Sequence, residues 1–122
     1  MCSSDLNAWS MMELVVPKDG GPPPHVHDWD EAYFITAGEI RFTVAAQSIT
    51  VTAGDFIYAP AGTLHGFHGA SDQDSRMLIV DVPAHAGSFF KQVNSEVVEL
   101  PRDLPKVLDI ATRNGIHFVH AA

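Results

Sequence analysis

The sequence predicts an all-β fold in which short strands close into a barrel or sandwich, and two observations indicate this. Turn-forming residues recur at short intervals, in DGGPPP (19–24), AG (37–38 and 53–54), PAG (60–62) and GASD (69–72). The segments between these turns are rich in Val, Ile, Thr, Phe and Tyr, the residues that are enriched in strands. At 122 residues the chain has room for one domain, which we expect to span 1–122.

Each expected element lies between two of these turns. The expected strands are Ser10–Val16, Glu31–Thr36, Glu39–Ala45, Gln47–Thr52, Asp55–Ala59, Leu64–His68 and Arg76–Val82. They put the barrel at about 10–82 and leave a C-terminal extension, 83–122, in which we expect one helix. That helix is predicted over Asp103–Arg113, because Pro105 suits its first turn and Gly115 follows as a stop. The stretch Pro83–Pro101 is expected to be a connection held against the barrel or against a neighbouring subunit.

Composition and charge exclude two classes of partner. Hydrophobic residues make up 46% of the chain, but no apolar run approaches the ~20 residues that a membrane-spanning helix needs. The formal net charge is −8, and the seven Lys and Arg residues are scattered, so phosphate backbones and anionic lipids should be repelled. We therefore expect no nucleic acid and no membrane as partner. The single cysteine, Cys2, cannot form an internal disulfide and leaves the compartment open.

The first six residues, MCSSDL, back-translate to codons that resemble the end of a sequencing adapter. We therefore expect residues 1–6 to be non-native and the native chain to begin further upstream. On this interpretation Cys2 is accidental, and the absence of a visible secretory signal carries no weight.

Four residues with metal-binding side chains have spacings that can bring them to one centre. His25 and His27 are two apart, so on an extended strand both imidazoles project to the same face. Glu31 follows after three residues, which is long enough for the chain to turn and return a carboxylate to the same centre. His65 follows the PAG turn and can supply a fourth ligand. Imidazoles combined with a carboxylate suit a divalent transition metal.

These residues resemble the two short motifs of the cupin superfamily. The motifs read G-x5-H-x-H-x3-E-x6-G and G-x5-P-x-G-x2-H-x3-N, and the matching positions are His25, His27, Glu31 and Gly38, then Gly54, Pro60, Gly62 and His65. The chain departs from the motifs at Asp19 and Gly69, which are turn positions, and keeps all four ligand positions. The resemblance covers roughly residues 12–82. It implies a single cupin barrel, a jelly-roll-like double-stranded β-helix with one metal ion per chain.

Within this superfamily the chain looks like the small single-domain cupins of the quercetin-dioxygenase-like kind. A second likeness is to small copper cupins that oxidatively cleave cellulose. The resemblance implies that His25, His27 and His65 hold the metal, while Glu31 is a ligand that detaches and serves as general base. Copper is favoured by raw affinity, and iron, manganese, nickel and zinc are the alternatives.

The expected function is that of a metal-dependent oxidoreductase that uses O2 or H2O2 to cleave a plant-derived substrate. That substrate is either a cellulose-type polysaccharide or a flavonol-type polyphenol. Two alternatives stay open: a non-redox isomerase or lyase that uses the metal as a Lewis acid, and a non-catalytic, metal-gated module that binds a small molecule or sugar. A homodimer is expected, because a short barrel has exposed strand edges and the tail carries the apolar Phe89 and Phe90.

Three aromatic residues are candidates for contact with the substrate. Tyr33 shares strand parity with Glu31, and Phe67 shares it with His65, so both should face the cavity, either as core residues or as substrate contacts. Trp29 lies in the ligand loop, where we expect a position at the rim of the barrel with the indole free to stack on a sugar or phenol ring.

The remaining sequence features receive less specific interpretations. His68, His85, His117 and His120 are expected to be solvated or to lie at an interface. The short stretch before His25 leaves space for only one strand, which predicts an unusually open barrel mouth.

Overall fold

The computed structural model describes residues 8–82, 86–97 and 102–118, and for residues 86–90 it describes the backbone alone. Several sequence expectations therefore lie outside the described residues. They concern the expectation that residues 1–6, with Cys2, are non-native, the side chains of Phe89 and Phe90, and the histidines His85 and His120.

The described residues are mostly strands, which confirms the predicted fold class. The strands are β1 Ser10–Val16, β2 His25–Val26, β3 Asp30–Ala37, β4 Glu39–Val44, β5 Gln47–Thr52, β6 Phe56–Ala59, β7 His65–Gly69, β8 Ser75–Val82 and β9 His117–Phe118. The helices are α1 Ala86–Glu96 and α2 Leu104–Arg113. Each strand expected from the sequence is present to within one residue at either end. The two-residue strands β2 and β9 were not expected, because so short a segment has no periodicity of its own.

The expectation of a single helix is wrong, because part of the stretch Pro83–Pro101 forms α1. The sequence gives little sign of this helix, which has no acidic residue in its first turn and no basic residue in its last turn. What accompanies α1 is a set of contacts with residues at the end of α2. Arg113 forms an ion pair with Glu96 at 3.1 Å, and the Asn114 amide donates to Gln92 Oε1 at 3.3 Å.

The strands form two antiparallel sheets whose inner faces share one core. Their orders are β1-β8-β3-β6 and β5-β4-β7-β2-β9. Along each long strand every second side chain turns inward, as the two-residue period of a strand requires. The fully or almost fully buried members of this core include Tyr33, Ile35, Ile40, Phe42, Met77 and Ile79. This core fills the barrel and leaves one end for the polar residues of the ligand motifs.

The two departures from the cupin motifs keep the turn geometry intact. Asp19 stands at a motif glycine position and adopts a φ of 62°, a conformation that Asp tolerates better than most residues do. Gly69 stands at the motif asparagine position, where a Cβ atom would clash with the Pro17 carbonyl oxygen. A side chain at position 69 is therefore excluded by the close approach of the strand end to Pro17.

The outer face of the four-stranded sheet exposes a row of apolar side chains. Met11, Phe34, Phe56 and Tyr58 are all exposed on β1, β3 and β6, and Phe34 stands opposite Phe56 in the register. Exposed apolar patches of this kind mark interaction sites, and a two-fold contact would bring the same patch of two identical chains together. Among the described residues, no helix is long and apolar enough to cross a membrane.

The homodimer stays a prediction, and we propose this outer face as its contact surface. Light scattering at micromolar concentration is expected to give the mass of a dimer. Phe34→Glu should give a monomer, because it would place two charges in the contact without partners. Thr50→Glu, at an exposed position on the five-stranded sheet, is the control and should leave the dimer intact. A monomeric parent protein would contradict the prediction.

Candidate metal centre

The structure brings together the four predicted ligands, His25, His27, Glu31 and His65, at one end of the barrel. All four are buried, and one potential ligand atom from each lies within 4.8 Å of the others. Both sheets contribute, since Glu31 lies on β3 of the four-stranded sheet while His25 and His65 stand opposite each other on β2 and β7. Residues that are distant in sequence are thereby placed around one point.

Each histidine is oriented by a hydrogen bond from its Nδ1 to a backbone carbonyl. These bonds run from His25 to Pro23 at 2.9 Å, from His27 to Trp29 at 3.0 Å and from His65 to Thr63 at 2.8 Å. A carbonyl can only accept, so Nδ1 is the donor and Nε2 is the ring nitrogen left to bind a metal. Such outer hydrogen bonds are the usual means of orienting metal-binding imidazoles.

The free nitrogens of the cluster fit a metal ion. The Nε2 atoms of His27 and His65 are buried and have no hydrogen-bond partner among the described residues. They lie 3.6 and 3.5 Å from Glu31 Oε1, beyond good hydrogen-bond length. Buried polar atoms are normally paired, and three imidazoles with one carboxylate are a typical donor set for a transition metal. The cluster therefore indicates a single metal site, in which the role of each ligand stays a prediction.

Glu31 is held as a carboxylate by its neighbours. Burial raises the pKa of Glu31, but the interactions of its carboxylate with His27, His65, Asp81 and Tyr33 outweigh burial and lower its pKa well below the usual range. The Tyr33 hydroxyl donates to Glu31 Oε1. Burial and the nearby negative charge of Glu31 raise the pKa of Tyr33 well above 10, so Tyr33 keeps its proton.

The sequence reasoning missed Asp81, a fully buried acid beside the cluster. Asp81 stands opposite Glu31 in the register of β3 and β8, and Ser10 Oγ lies 3.5 Å from its carboxylate. A signal for it was present in the sequence. On β8 Asp81 has the same parity as the core residues Met77 and Ile79, so strand alternation would have placed it inside.

Burial lowers the pKa of His25 to about 4, which predicts a pH dependence for the metal-free protein. Unfolded His25 binds a proton near pH 6.5 and folded His25 near pH 4. Between these values the unfolded state holds more protons, so the free energy of unfolding should decrease as the pH falls from 6.5 toward 4. Urea unfolding in the presence of a chelator measures this dependence. As the pH falls, the free energy of unfolding should decrease more steeply for the parent than for His25→Asn. Equal slopes for the two proteins would contradict the prediction.

Trp29 does not lie at the rim, so this expectation is wrong. Its side chain is only 2% exposed and stacks on His27, with ring centroids 4.0 Å apart and planes tilted by 4°. It also packs against Ala111 and Ile116 of the C-terminal extension. The indole is buried because the extension folds back over the ligand loop, a contact that no local pattern reveals.

Trp29→Ala is therefore expected to weaken both the fold and metal binding. Removing a buried large aromatic residue costs about 3–5 kcal/mol, and loss of support behind a ligand typically lowers metal affinity by ~10–100-fold. Thermal unfolding and metal content should both decrease. Trp9→Ala is the matched control, because Trp9 is 46% exposed. A Trp29→Ala protein with unchanged metal content would contradict this role.

The structure places the other aromatic and histidine candidates either in the core or on the surface. Tyr33 is fully buried, with its ring centroid 5.7 Å from that of Phe67, so it belongs to the core as well as to the cluster. Phe67 is almost fully buried and borders the pocket over the cluster. His68 and His117 are exposed, and neither belongs to the cluster.

A pocket of about 410 Å³ opens over the cluster. His25, His27 and Glu31 line its base, and apolar residues of β1, the ligand loop and the C-terminal extension line its walls. The open mouth predicted from the short segment before His25 stays a prediction. Residues of α1, α2 and β9 occupy part of the space above the barrel.

Two facing sheets with buried imidazoles and a carboxylate at one end define a β-barrel of the double-stranded β-helix class with a cluster that could hold a metal ion. Residues 11–81 match the cupin domain family. The chain therefore belongs to this family, as its motifs predicted.

Individual similar proteins include an uncharacterized relative and enzymes of different kinds. A protein of Streptomyces coelicolor is 40% identical over 57 residues, which are 47% of this chain and 53% of the relative, so the chain spans about half of that relative's length. The polyketide cyclase RemF from Streptomyces resistomycificus is 27% identical over 62% of this chain and 54% of its own, with a TM-score of 0.56. The DMSP lyase DddQ from Ruegeria pomeroyi is 25% identical over 62% of this chain and 39% of its own, with a TM-score of 0.57. The reactions of similar proteins thus vary.

Proposed function

We propose that the protein is a metal-dependent oxidoreductase that uses O2 to cleave a small phenolic substrate of the flavonol type. The observation that carries this proposal is the position of Glu31. Its carboxylate belongs to the metal-binding cluster and also lies at the base of the apolar pocket. A substrate hydroxyl that enters the pocket therefore meets a proton acceptor and the metal-binding cluster together.

The residues around Glu31 suit a general base. The Tyr33 hydroxyl donates to Glu31 Oε1 and so holds the carboxylate in one orientation at the base of the pocket. Proton transfer to a positioned carboxylate contributes ~10²–10⁴-fold to rate. A copper or iron ion held by His25, His27 and His65 would supply the redox chemistry with O2. In a dioxygenation O2 is the oxidant and both of its atoms enter the product, so no separate reductant is required.

The pocket favours a small phenol over a cellulose chain. Its walls are mainly aliphatic and aromatic side chains, and its polar groups lie chiefly at the metal end. A glucan carries hydroxyl groups along its whole length, and burying these without hydrogen bonds costs free energy. Binding of a cellulose chain was also expected to use the Trp29 indole at the rim as a stacking surface for a sugar ring, and Trp29 is buried. H2O2 remains the alternative co-substrate.

A non-redox lyase or cyclase is the second candidate. The observation in its favour is the similarity to a polyketide cyclase at 27% identity and to a DMSP lyase at 25% identity. The same carboxylate could remove a proton from carbon without any oxidant, with the metal acting as a Lewis acid.

Metal analysis followed by oxygen uptake separates these candidates. Protein purified without added metal is first analysed for its elements and then reloaded separately with copper, iron, manganese, nickel or zinc. With a flavonol, the copper or iron form is expected to consume one O2 per substrate molecule lost, and the zinc form should be inactive. Equal conversion without O2 would replace the proposal with the lyase or cyclase. Flavonol binding without conversion in any metal form would indicate a binding module.

A further inference from the structure

We infer that the C-terminal extension binds the body of the substrate and that this body is apolar and uncharged. This inference rests on the proposed function, because it concerns the pocket in which the reaction would occur. The substrate then consists of one metal-binding oxygen group and an aromatic or aliphatic body without a second charge.

The pocket has two ends of different chemistry. The metal end consists of His25, His27 and Glu31. Part of the wall comes from the extension, through Val93, Leu104, Val107, Leu108, Ile116 and Phe118. All of these wall residues lie beyond residues 11–81, the part that matches the cupin family. This part of the wall therefore lies outside the residues that match the shared barrel.

Two contacts fix the extension relative to the metal-binding cluster. Phe118 on β9 stands opposite His25 on β2, with ring centroids 5.4 Å apart. Ile116 and Ala111 pack on Trp29, which itself stacks on His27. These contacts hold the wall formed by the extension at a fixed distance from the metal-binding cluster. A molecule that binds the cluster would therefore also contact this wall.

Helix α2 presents apolar side chains that no described residue fully covers. Leu104, Val107 and Leu108 are spaced as neighbours on one helix face, and all three border the pocket. Leu104 is 48% exposed and Leu108 is 37% exposed. Covering apolar surface stabilises by about 25 cal/mol per Å², so a ligand with an apolar body would gain free energy here. The volume of about 410 Å³ is in the range of small-molecule sites.

The charges of the pocket oppose a second anionic group on the substrate. No Lys or Arg is among the described residues that line it. Its ionisable groups are the two histidines and the glutamate at the metal end. A sulfonate or carboxylate on the substrate body would lose its hydration without gaining a counter-charge, which is strongly unfavourable. The chain's net charge of −8 adds to this preference.

A matched pair of ligands tests the inference by calorimetry on the metal-loaded protein. 2-Naphthol and 6-hydroxynaphthalene-2-sulfonate share the hydroxyl group and the rings and differ by one charge on the body. The parent protein is expected to bind 2-naphthol at least tenfold more tightly. Leu108→Lys should improve binding of the sulfonate at least fivefold, because it adds a counter-charge to the wall. Thr112→Lys, one turn further along α2 and outside the pocket, should leave both affinities unchanged.

The outcomes distinguish this inference from the proposed function. Equal affinity of the parent protein for the two naphthols would overturn the inference, and so would a Leu108→Lys protein with retained metal and no gain for the sulfonate. Neither result depends on turnover. If discrimination between the ligands is found while no metal form consumes O2, the inference stands and the oxidoreductase proposal fails.

Discussion

Replacing either His65 or His27 by alanine is expected to remove most of the bound metal. His65 is fully buried and His27 is almost so, and the Nε2 atom of each is without a hydrogen-bond partner among the described residues. A bound metal would be the partner of these atoms. Each tenfold loss of affinity corresponds to about 1.4 kcal/mol, and a ligand in a four-coordinate site contributes several times that amount. We therefore expect less than about a tenth of the parent's metal content, measured by elemental analysis after dialysis.

His68→Ala is the matched control for this experiment. His68 lies on β7 like His65, but it is exposed and points to the other face of the strand. Its replacement should leave the metal content unchanged. Circular dichroism of each variant checks that the barrel is folded. Metal content near that of the parent in His65→Ala or His27→Ala would remove that residue from the ligand set.

Glu31→Gln is expected to keep at least about half of the metal while lowering kcat by ~10²–10⁴-fold, the usual contribution of a general base. The amide has nearly the shape of the carboxylate, and its oxygen can still accept the hydrogen bond from Tyr33 and bind a metal. It cannot take up a proton from a substrate hydroxyl. Elemental analysis and steady-state kinetics on the same preparation separate the two roles. Unchanged kcat with retained metal would exclude Glu31 from the mechanism.

Tyr33→Phe provides the graded comparison for Glu31→Gln. It removes the hydrogen bond to Glu31 Oε1 and keeps the ring that packs near Phe42 and Phe67. Since the carboxylate would still be present but less firmly held, the loss of kcat should be smaller than in Glu31→Gln. A loss as large as that in Glu31→Gln would indicate that Tyr33 itself contacts the reacting atoms.

The strands and the ligand cluster were predictable because their signals are local. Turn residues mark where each strand begins and ends, and a two-residue period decides which side chains face inward. The spacing of His25, His27 and Glu31 places them near one another, and the motif turn before His65 brings that residue to the same end. For these features the neighbouring sequence carries most of the information.

The C-terminal extension could not be predicted to the same degree. Helix α1 lacks charged residues that would mark its ends, and the two-residue strands β2 and β9 form only because each pairs with a neighbour. Such elements depend on tertiary contacts, which override weak local preferences.

The sequence by itself determined the barrel, the cupin motifs and the set of candidate ligands. Only the tertiary structure decided that Trp29 is buried behind His27, that Asp81 lies beside Glu31 and that α2 borders the pocket. The physical reason is sequence separation. Trp29 is buried by Ala111 and Ile116, and Glu31 meets Asp81 across the β3–β8 pair. Strand alternation indicates that Asp81 faces inward, but which distant residue each of these side chains meets follows from how the whole chain packs.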